Sequence, residues 1–293
     1  MKAGVLNVDK PVGASSFAVV RRLRELTGAR RVGHAGTLDP LASGVLPILF
    51  ESATRLSDLA HQLPKTYDAA VHLGFRSGTD DAEAELEPGG STAGLNQEQI
   101  AQSLRQFVGA IQQEPPAFSA VKVEGLRAYR RAREGRPERP PAREVQIHSA
   151  ELLDFRPGPP AVAMIQVVCA SGVYLRSLAR DLGEKLGCGG YLGALVRAAY
   201  GPLKVADAVQ LERLLDRAAL EARLLPSEVL LPEMPPVRLT VEQEAQVRQG
   251  RAVRVLPEPG PGPLRAHDES GRLVALGHAD LLRRTFVPDK VLG

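Results

Sequence analysis

Gly33-His34-Ala35-Gly36-Thr37-Leu38-Asp39-Pro40 strings two glycines, a histidine and one carboxylate through a segment too irregular to be core. Glycine lets the backbone take positive φ and come close to a ligand, and Pro40 fixes the chain just after Asp39. The octet therefore reads as a loop that presents a side chain. Asp-Pro is also ordinary turn chemistry, so the octet alone leaves a turn and a chemical site both open.

Working outward, the segments on both sides carry the periodicities of an α/β protein. Gly4-Val5-Leu6-Asn7-Val8 reads as a strand, Asp9 to Gly13 as a turn, and Ser15 or Ser16 as the cap of a helix. Val19, Val20, Leu23 and Leu26 form that helix's apolar stripe and Gly28 is its stop. Arg21, Arg22, Arg24, Arg30 and Arg31 gather basic charge just before Asp39. Beyond the octet, Val45 to Phe50 is a buried run and Tyr67 to Gly74 a strand, while the acidic, glycine-rich stretch from Arg76 to Gly94 reads as a loop. Asn96 with Gln99 makes a capping box ahead of Ile100, Leu104, Phe107 and Val108 at helical spacing. Ala161 to Ala170 is a β run that Ser171-Gly172-Val173 turns into a helix striped by Leu175, Leu178, Ala179, Leu182 and Leu186. Arg176 sits in that helix's first turn, where a cation opposes the helix dipole; this suggests a partner carboxylate or phosphate, although a surface arginine is the plain alternative. The expected fold class is α/β, a large mixed or antiparallel sheet flanked by helices.

Two further regions stand apart. Between Arg127 and Arg143 seven arginines face only Glu134 and Glu138, with Tyr129 among them, a composition able to grip a phosphate backbone or to form a solvated, salt-bridged helix and linker. After Leu230, Leu231-Pro232-Glu233-Met234-Pro235-Pro236 reads as a linker, and the chain from Val237 as a small, mostly β appendage.

The 293 residues suffice for one large domain and a small one, and 44% hydrophobic with 24% charged content is that of a globular protein. A net charge of +3 permits an anionic partner without requiring one. Cys169 and Cys188 are the only cysteines, which argues against a disulfide scaffold or a thiolate metal site and fits a reducing compartment. No apolar run of roughly 18 residues is present, so the expectation is a cytoplasmic, unanchored protein. The six histidines form no close pair at ligand spacing. There is no P-loop, and Gly187-Cys188-Gly189-Gly190 has Leu192 where a dinucleotide fingerprint needs glycine and follows a helix rather than a strand. A glycosidase needs two facing carboxylates, and Asp39 has no second one nearby in sequence.

Five motifs, in order, give the chain a family resemblance. They are Asp9-Lys10-Pro11-Val12-Gly13-Ala14-Ser15-Ser16; the octet extended through Leu41-Ala42-Ser43-Gly44-Val45-Leu46-Pro47; Lys65-Thr66-Tyr67; Pro115-Pro116-Ala117-Phe118-Ser119-Ala120-Val121-Lys122; and Ser171-Gly172-Val173-Tyr174-Leu175-Arg176-Ser177-Leu178. With these the chain resembles the bacterial tRNA pseudouridine-55 synthases, the tRNA pseudouridine synthase B family, from Gly4 to Gly201 and more weakly in the tail.

The resemblance implies a pseudouridine synthase fold and isomerisation of uridine 55 in the tRNA T-loop without a cofactor or metal. Asp39 matches the essential aspartate, Arg176 the arginine that pairs with it, and Tyr67 the tyrosine that stacks on the target base and is placed for proton removal at C5. The base must leave, turn while held and return through carbon, so the site has to restrain a detached uracil and exclude water. A tyrosine with a pKa near 10 is a weak base at neutral pH, so a water relay or help from the Asp39 and Arg176 pair is implied. His34 matches a histidine that helps hold the flipped-out nucleotide. Lys10, Lys65, Lys122, Arg133 and Arg143 are phosphate-contact candidates, and Tyr174 and Leu195 complete the substrate-binding set. The implied partner is the T-arm stem-loop of tRNA, with no membrane and no obligate protein partner. The implied organisation is a catalytic domain over 1–230, with an RNA-gripping insertion at about 118–145, and a β-barrel PUA-like RNA-binding domain over 237–293, the latter through Gly271 to Gly277 and Pro288-Asp289-Lys290-Val291.

The chain departs from the family pattern in three places. Ser77-Gly78-Thr79 replaces a Thr-Asp-Thr, with Asp80 and Asp81 following; Val196 replaces the first arginine of a Leu-Arg-Arg run, leaving Arg197; and Glu51 stands where glycine is common. Two rival readings are a guide-RNA-dependent subunit of a complex and a tRNA-binding or folding module. The basic insertion and slight tail argue against the first.

Overall fold

The computed structural model describes residues 1–119, 139–255 and 260–292, together with the strand pair Lys122–Val123 and Leu126–Arg127 as backbone. Its centre is a ten-stranded mixed sheet. In chain order the strands are β1 (Gly4–Lys10), β2 (Val32–His34), β3 (Ala42–Phe50), β4 (Lys65–Leu73), the small pair β5 (Phe75–Ser77) and β6 (Leu86–Pro88), and β7 (Gly109–Gln113). Beyond β8 (Lys122–Val123) and β9 (Leu126–Arg127) come β10 (Arg143–Arg156), β11 (Ala161–Cys169), β12 (Gly190–Tyr200), β13 (Leu203–Lys204) and β14 (Val209–Gln210). The main sheet runs β14-β1-β3-β12-β4-β11-β10-β7, with β2 on β3 and β13 on β12. Among the described strands of this sheet, β1 with β14 and β3 with β12 pair in parallel and the others antiparallel.

Alternation along the central strands explains how helices cover both faces. On β1 and β3, Leu6, Val8, Leu46, Ile48 and Phe50 meet Val19, Val20 and Leu23 of helix α1 (Ser16–Thr27), whereas Val5, Val45 and Leu49 point to the opposite cluster. Ser15 caps α1 by accepting from the Ala18 amide at 3.1 Å, and Gly28 closes it at φ 62. After the short helix α2 (Ser57–Gln62), helix α3 (Gln97–Arg105) begins at the Asn96 and Gln99 capping box. Its fully buried Ile100 and Leu104 pack with Leu178 and Leu182 of helix α4 (Leu175–Lys185) over β4 and β11, each side chain contributing about 1.5–3 kcal/mol.

The structure departs from the sequence reading at two junctions. The stretch 76–94 is not a plain loop: it forms β5 and β6 and buries Asp80 and Asp81. Leu230 and Leu231 are buried in the core around Val5 and Tyr200 rather than opening a free linker. The C-terminal strands β15 (Pro236–Arg238), β16 (Val253–Arg254), β17 (Pro263–His267), β18 (Leu273–Asp280) and β19 (Thr285–Val291) form a five-stranded sheet with its own core around Val247, Leu264 and Phe286. This sheet docks through Leu276 and Leu292, and Lys290 donates to the Arg55 carbonyl at 3.0 Å.

Glu51, the residue in a position where glycine is common, has φ 51. An L-residue there carries strain. Its Oε1 accepts from the Arg30 amide at 3.0 Å, a bond that glycine cannot make.

Candidate active site

The parallel neighbours β3 and β12 set Leu195 opposite Ala42 and Arg197 opposite Gly44, and antiparallel pairing then sets Arg197 opposite Tyr67 on β4. The loop that precedes β3 therefore lies over a floor made by three adjacent strands. Its backbone is held at several points. Ser16 Oγ accepts from the Leu38 amide at 2.9 Å and donates to the Leu38 carbonyl at 3.1 Å, the Gly13 amide donates to the Pro40 carbonyl at 2.7 Å, and Leu38 is buried. The serine pair of the first motif thus divides its work: Ser15 caps the helix and Ser16 fixes the loop.

Two glycines, Gly36 in the loop and Gly44 on β3, make room for Tyr200 and Arg197. Gly36 sits at φ 69, and a Cβ there would lie 2.8 Å from the Tyr200 ring and 3.2 Å from Arg197 Nη1. Gly44 sits at φ 100, and its Cβ would come within 2.4 Å of the Arg197 carbonyl. Arg197 is 1% exposed. It donates through Nε to the Val45 carbonyl at 2.6 Å, through Nη2 to the Gly36 carbonyl at 2.9 Å and through Nη1 to the Tyr67 hydroxyl at 3.5 Å. A buried guanidinium needs such partners to offset its lost hydration. Gly33, by contrast, has no positive φ.

Asp39 and Arg176 form an ion pair at 2.9 Å in which the carboxylate side chain is 41% exposed and the guanidinium 8%. Arg176 is fixed by three more acceptors: the Phe118 carbonyl at 2.9 Å, the Thr79 carbonyl at 3.3 Å and Asp81 Oδ2 at 3.5 Å. Its place in the first turn of α4 is thereby accounted for by carboxylate partners. Gln113 holds that end of the helix, donating to the Tyr174 carbonyl at 3.1 Å and accepting from the Tyr174 amide at 2.8 Å.

A cavity of about 580 Å³ opens between these elements, within the range of small-ligand pockets. Asp39, Tyr67, Arg176, Tyr174, Leu195, Lys65 and Arg143 all line it. Burial raises the Tyr67 phenol above its ordinary value, an effect the Arg197 charge opposes. Lys65 donates to Ser171 Oγ and to the His61 carbonyl, both at 2.6 Å, and lies 4.7 Å over the Tyr200 ring; burial and then Arg197 lower its pKa to about 8. Arg143 donates to the Gly172 carbonyl at 2.8 Å with its guanidinium 5.2 Å over the Tyr174 ring.

The family model of the TruB pseudouridylate synthases, N-terminal domain, matches residues 24–175, and that of the tRNA pseudouridylate synthase B C-terminal domain matches 176–232. The chain belongs to the TruB family. The tRNA pseudouridine synthase B of Thermobifida fusca is 42% identical over 94% of each chain, and that of Symbiobacterium thermophilum is 44% identical over 86% of this chain and 83% of the relative. Among solved structures, a Cbf5-Nop10-Gar1 complex matches with a TM-score of 0.73 at 26% identity, covering 99% of this chain and 85% of that one. An H/ACA RNP bound to a substrate RNA containing 2′-deoxyuridine matches with a TM-score of 0.74 at 24% identity over the same shares, and shows the shared fold.

The remaining residues expected in this TruB site fall elsewhere. His34 ends β2 outside the cavity lining; its buried Nδ1 has no hydrogen-bond partner, and burial followed by the Arg197 charge lowers its pKa. Lys10 is fully buried and outside the lining, its ammonium donating to the carbonyls of Pro11 at 2.9 Å and Ala14 at 2.7 Å. It ties down the turn that meets Pro40, so its place differs from that of a phosphate contact. The Lys122 side chain and Arg133 lie outside the described residues. Four charged or titratable lining residues were not named as site candidates from the sequence: His61, Asp81, Glu83 and Arg197. A signal for the last was present, since one arginine inside the otherwise apolar run Gly190–Tyr200 marks a buried charge.

Proposed function

We propose that this TruB chain isomerises uridine to pseudouridine at position 55 in the T-loop of tRNA, with Asp39, Tyr67 and Arg176 as its catalytic residues. The observation that carries the reading is the Asp39 and Arg176 pair: one carboxylate, oriented by a nearly buried arginine at 2.9 Å, yet 41% exposed toward a cavity of nucleoside scale. The names and the high coverage of the tRNA pseudouridine synthase B relatives support tRNA as the substrate.

In this reading the N1–C1′ bond breaks, the uracil turns within the pocket, and C5 bonds to C1′. The proton at C5 leaves and N1 gains one, so atoms and charge balance without a co-reactant. Tyr67 offers a neutral aromatic face, and Leu195 and Tyr174 bound the space in which the base turns. Lys65 and Arg197 place positive charge on the pocket floor, where it stabilises negative charge on the detached base. Recognition of the stem-loop rests on shape, splayed bases and backbone contacts, supplied by Arg143, Lys122 and Arg133 and by residues 237–293 acting as a PUA-like domain; Lys65, buried with its ammonium on Ser171 and His61, serves the pocket floor instead of a phosphate. We place the enzyme in the cytoplasm; none of the described helices is long and apolar enough to cross a membrane.

The test uses T-arm RNA tritiated at uridine C5, comparing wild type with Asp39→Asn for tritium release and for binding. Release by wild type without any guide RNA, lost in the variant while binding survives, is the expected result. Release that persists in the variant overturns the assignment of Asp39.

A further inference from the structure

Asp80 is 2% exposed and is a non-glycine residue at φ 61, a backbone state that persists where the surroundings enforce it. The surroundings here are two arginines. Oδ2 pairs with Arg180 Nη1 at 2.9 Å and Oδ1 with Arg139 Nη2 at 3.1 Å. The Asp80 carbonyl accepts from the Leu192 amide on β12 at 3.0 Å.

Both arginines lead to the same place. Arg180 also donates to the Glu114 carbonyl at 3.0 Å, which accepts from Ser177 Oγ at 2.7 Å, and Arg139 reaches the Glu114 carboxylate at 3.5 Å. Glu114 and Arg139 bracket five of the seven arginines of the basic stretch, those at 127, 130, 131, 133 and 136, so one buried carboxylate gathers the points on either side of them. The same turn continues into Asp81, whose carboxylate meets Arg176. In the sequence this turn is one of the departures from the family pattern, and the catalytic assignment leaves Asp80 without a task.

We propose that Asp80 is a positioning residue that holds Glu114 and Arg139, which bracket five of the seven arginines, against helix α4 beside the active site. Its task is to keep a basic, RNA-binding stretch in register with the reacting pair rather than to touch the substrate. The inference rests on the RNA-modifying reading above.

The test compares wild type with Arg139→Gln, Asp80→Asn and the double variant in three measurements: the Kd for a T-arm stem-loop RNA, the single-turnover rate at saturating RNA, and trypsin cleavage of the free protein between 127 and 136. Arg139→Gln is expected to raise Kd about tenfold, the worth of one charge-assisted pair, and to leave the saturated rate within about threefold. The double variant is expected to bind no worse than the weaker single one, because both changes cut one link. Trypsin is expected to cut the variants faster. An unchanged Kd in Arg139→Gln, a fall confined to the saturated rate, or additive losses overturn the proposal. Arg139→Gln decides alone if Asp80→Asn does not fold, since Arg139 is 39% exposed and its loss leaves the Asp80 and Arg180 pair in place. If wild type fails to bind the stem-loop, the substrate reading fails instead, and equal cleavage rates in the free proteins still overturn the anchoring.

Discussion

Asp39 and Asp80 are both aspartates paired to arginines of helix α4, one turn apart on that helix, and they do opposite things. The Asp39 side chain is 41% exposed and has one arginine; the Asp80 side chain is 2% exposed and has two. Burial raises the Asp80 pKa, opposed first by Arg180 and then by Arg139. At Asp80 both oxygens are spent on the fold, whereas the Asp39 pair keeps a carboxylate face toward the cavity. The number of partners and the access of water, not the residue type, separate a presented carboxylate from an anchoring one.

The sharpest way to break this contrast is to neutralise each aspartate in turn. Asp39→Asn should lower tritium release by about four orders of magnitude or more, while its unfolding free energy changes by less than about 1 kcal/mol, because a half-exposed pair contributes little stability. Asp80→Asn should do the reverse. It takes from Arg180, whose side chain is 11% exposed, one of two carboxylate partners, leaving Asp181 at 2.8 Å and the Glu114 carbonyl at 3.0 Å, and should cost about 2 kcal/mol in a denaturant melt with the saturated rate nearly kept. Equal stability losses in the two variants would erase the distinction.

Arg176→Lys asks whether the pair needs a fork or only a charge. Arg176 meets Asp39, Asp81 and two carbonyls, a set that a single ammonium cannot span, so single-turnover rates should fall about a hundredfold. A loss below about threefold would reduce the arginine to a point charge.

The pocket floor gives a pH-dependent prediction. Lys65 has a folded pKa of about 8 against 10.5 in the unfolded chain, chiefly through burial. Between those values the unfolded state binds more protons, so stability rises with pH through this group. Wild type should therefore gain on Lys65→Met in denaturant melts as pH climbs from about 8 to 10.5. A stability gap that stays constant across that window removes the buried cation from the floor.

The smallest effect is expected at Glu51→Gly. Relief of the positive φ and loss of the bond from the Arg30 amide oppose each other, and the net change should stay within about 1 kcal/mol. A larger loss would give the Glu51 side chain a structural weight that its single bond does not suggest.

Much of the frame was legible in the chain because its causes are local. Ser15 and Gly28 bound α1, Asn96 with Gln99 starts α3, and alternation marks β11, each decided by neighbours a few residues away. The motif match carried Asp39, Arg176 and Tyr67, which the structure brings to one cavity. Other points were not legible. The acidic stretch around Asp80 looks solvated in sequence, and only the approach of Arg180 and Arg139 makes its burial tolerable. Arg197 read as the remnant of a motif, yet its side chain packs beneath the loop and its backbone makes alanine untenable at Gly44.

The sequence by itself determined the helices and strands, a loop that presents Asp39, and a family resemblance. Tertiary structure decided which charges meet. Asp39 and Arg176 lie on elements that only the parallel β3 and β12 pairing and the α4 packing bring together. The ionisation of a buried group depends on desolvation and on charges within a few ångströms, and neither distance is encoded in spacing along the chain.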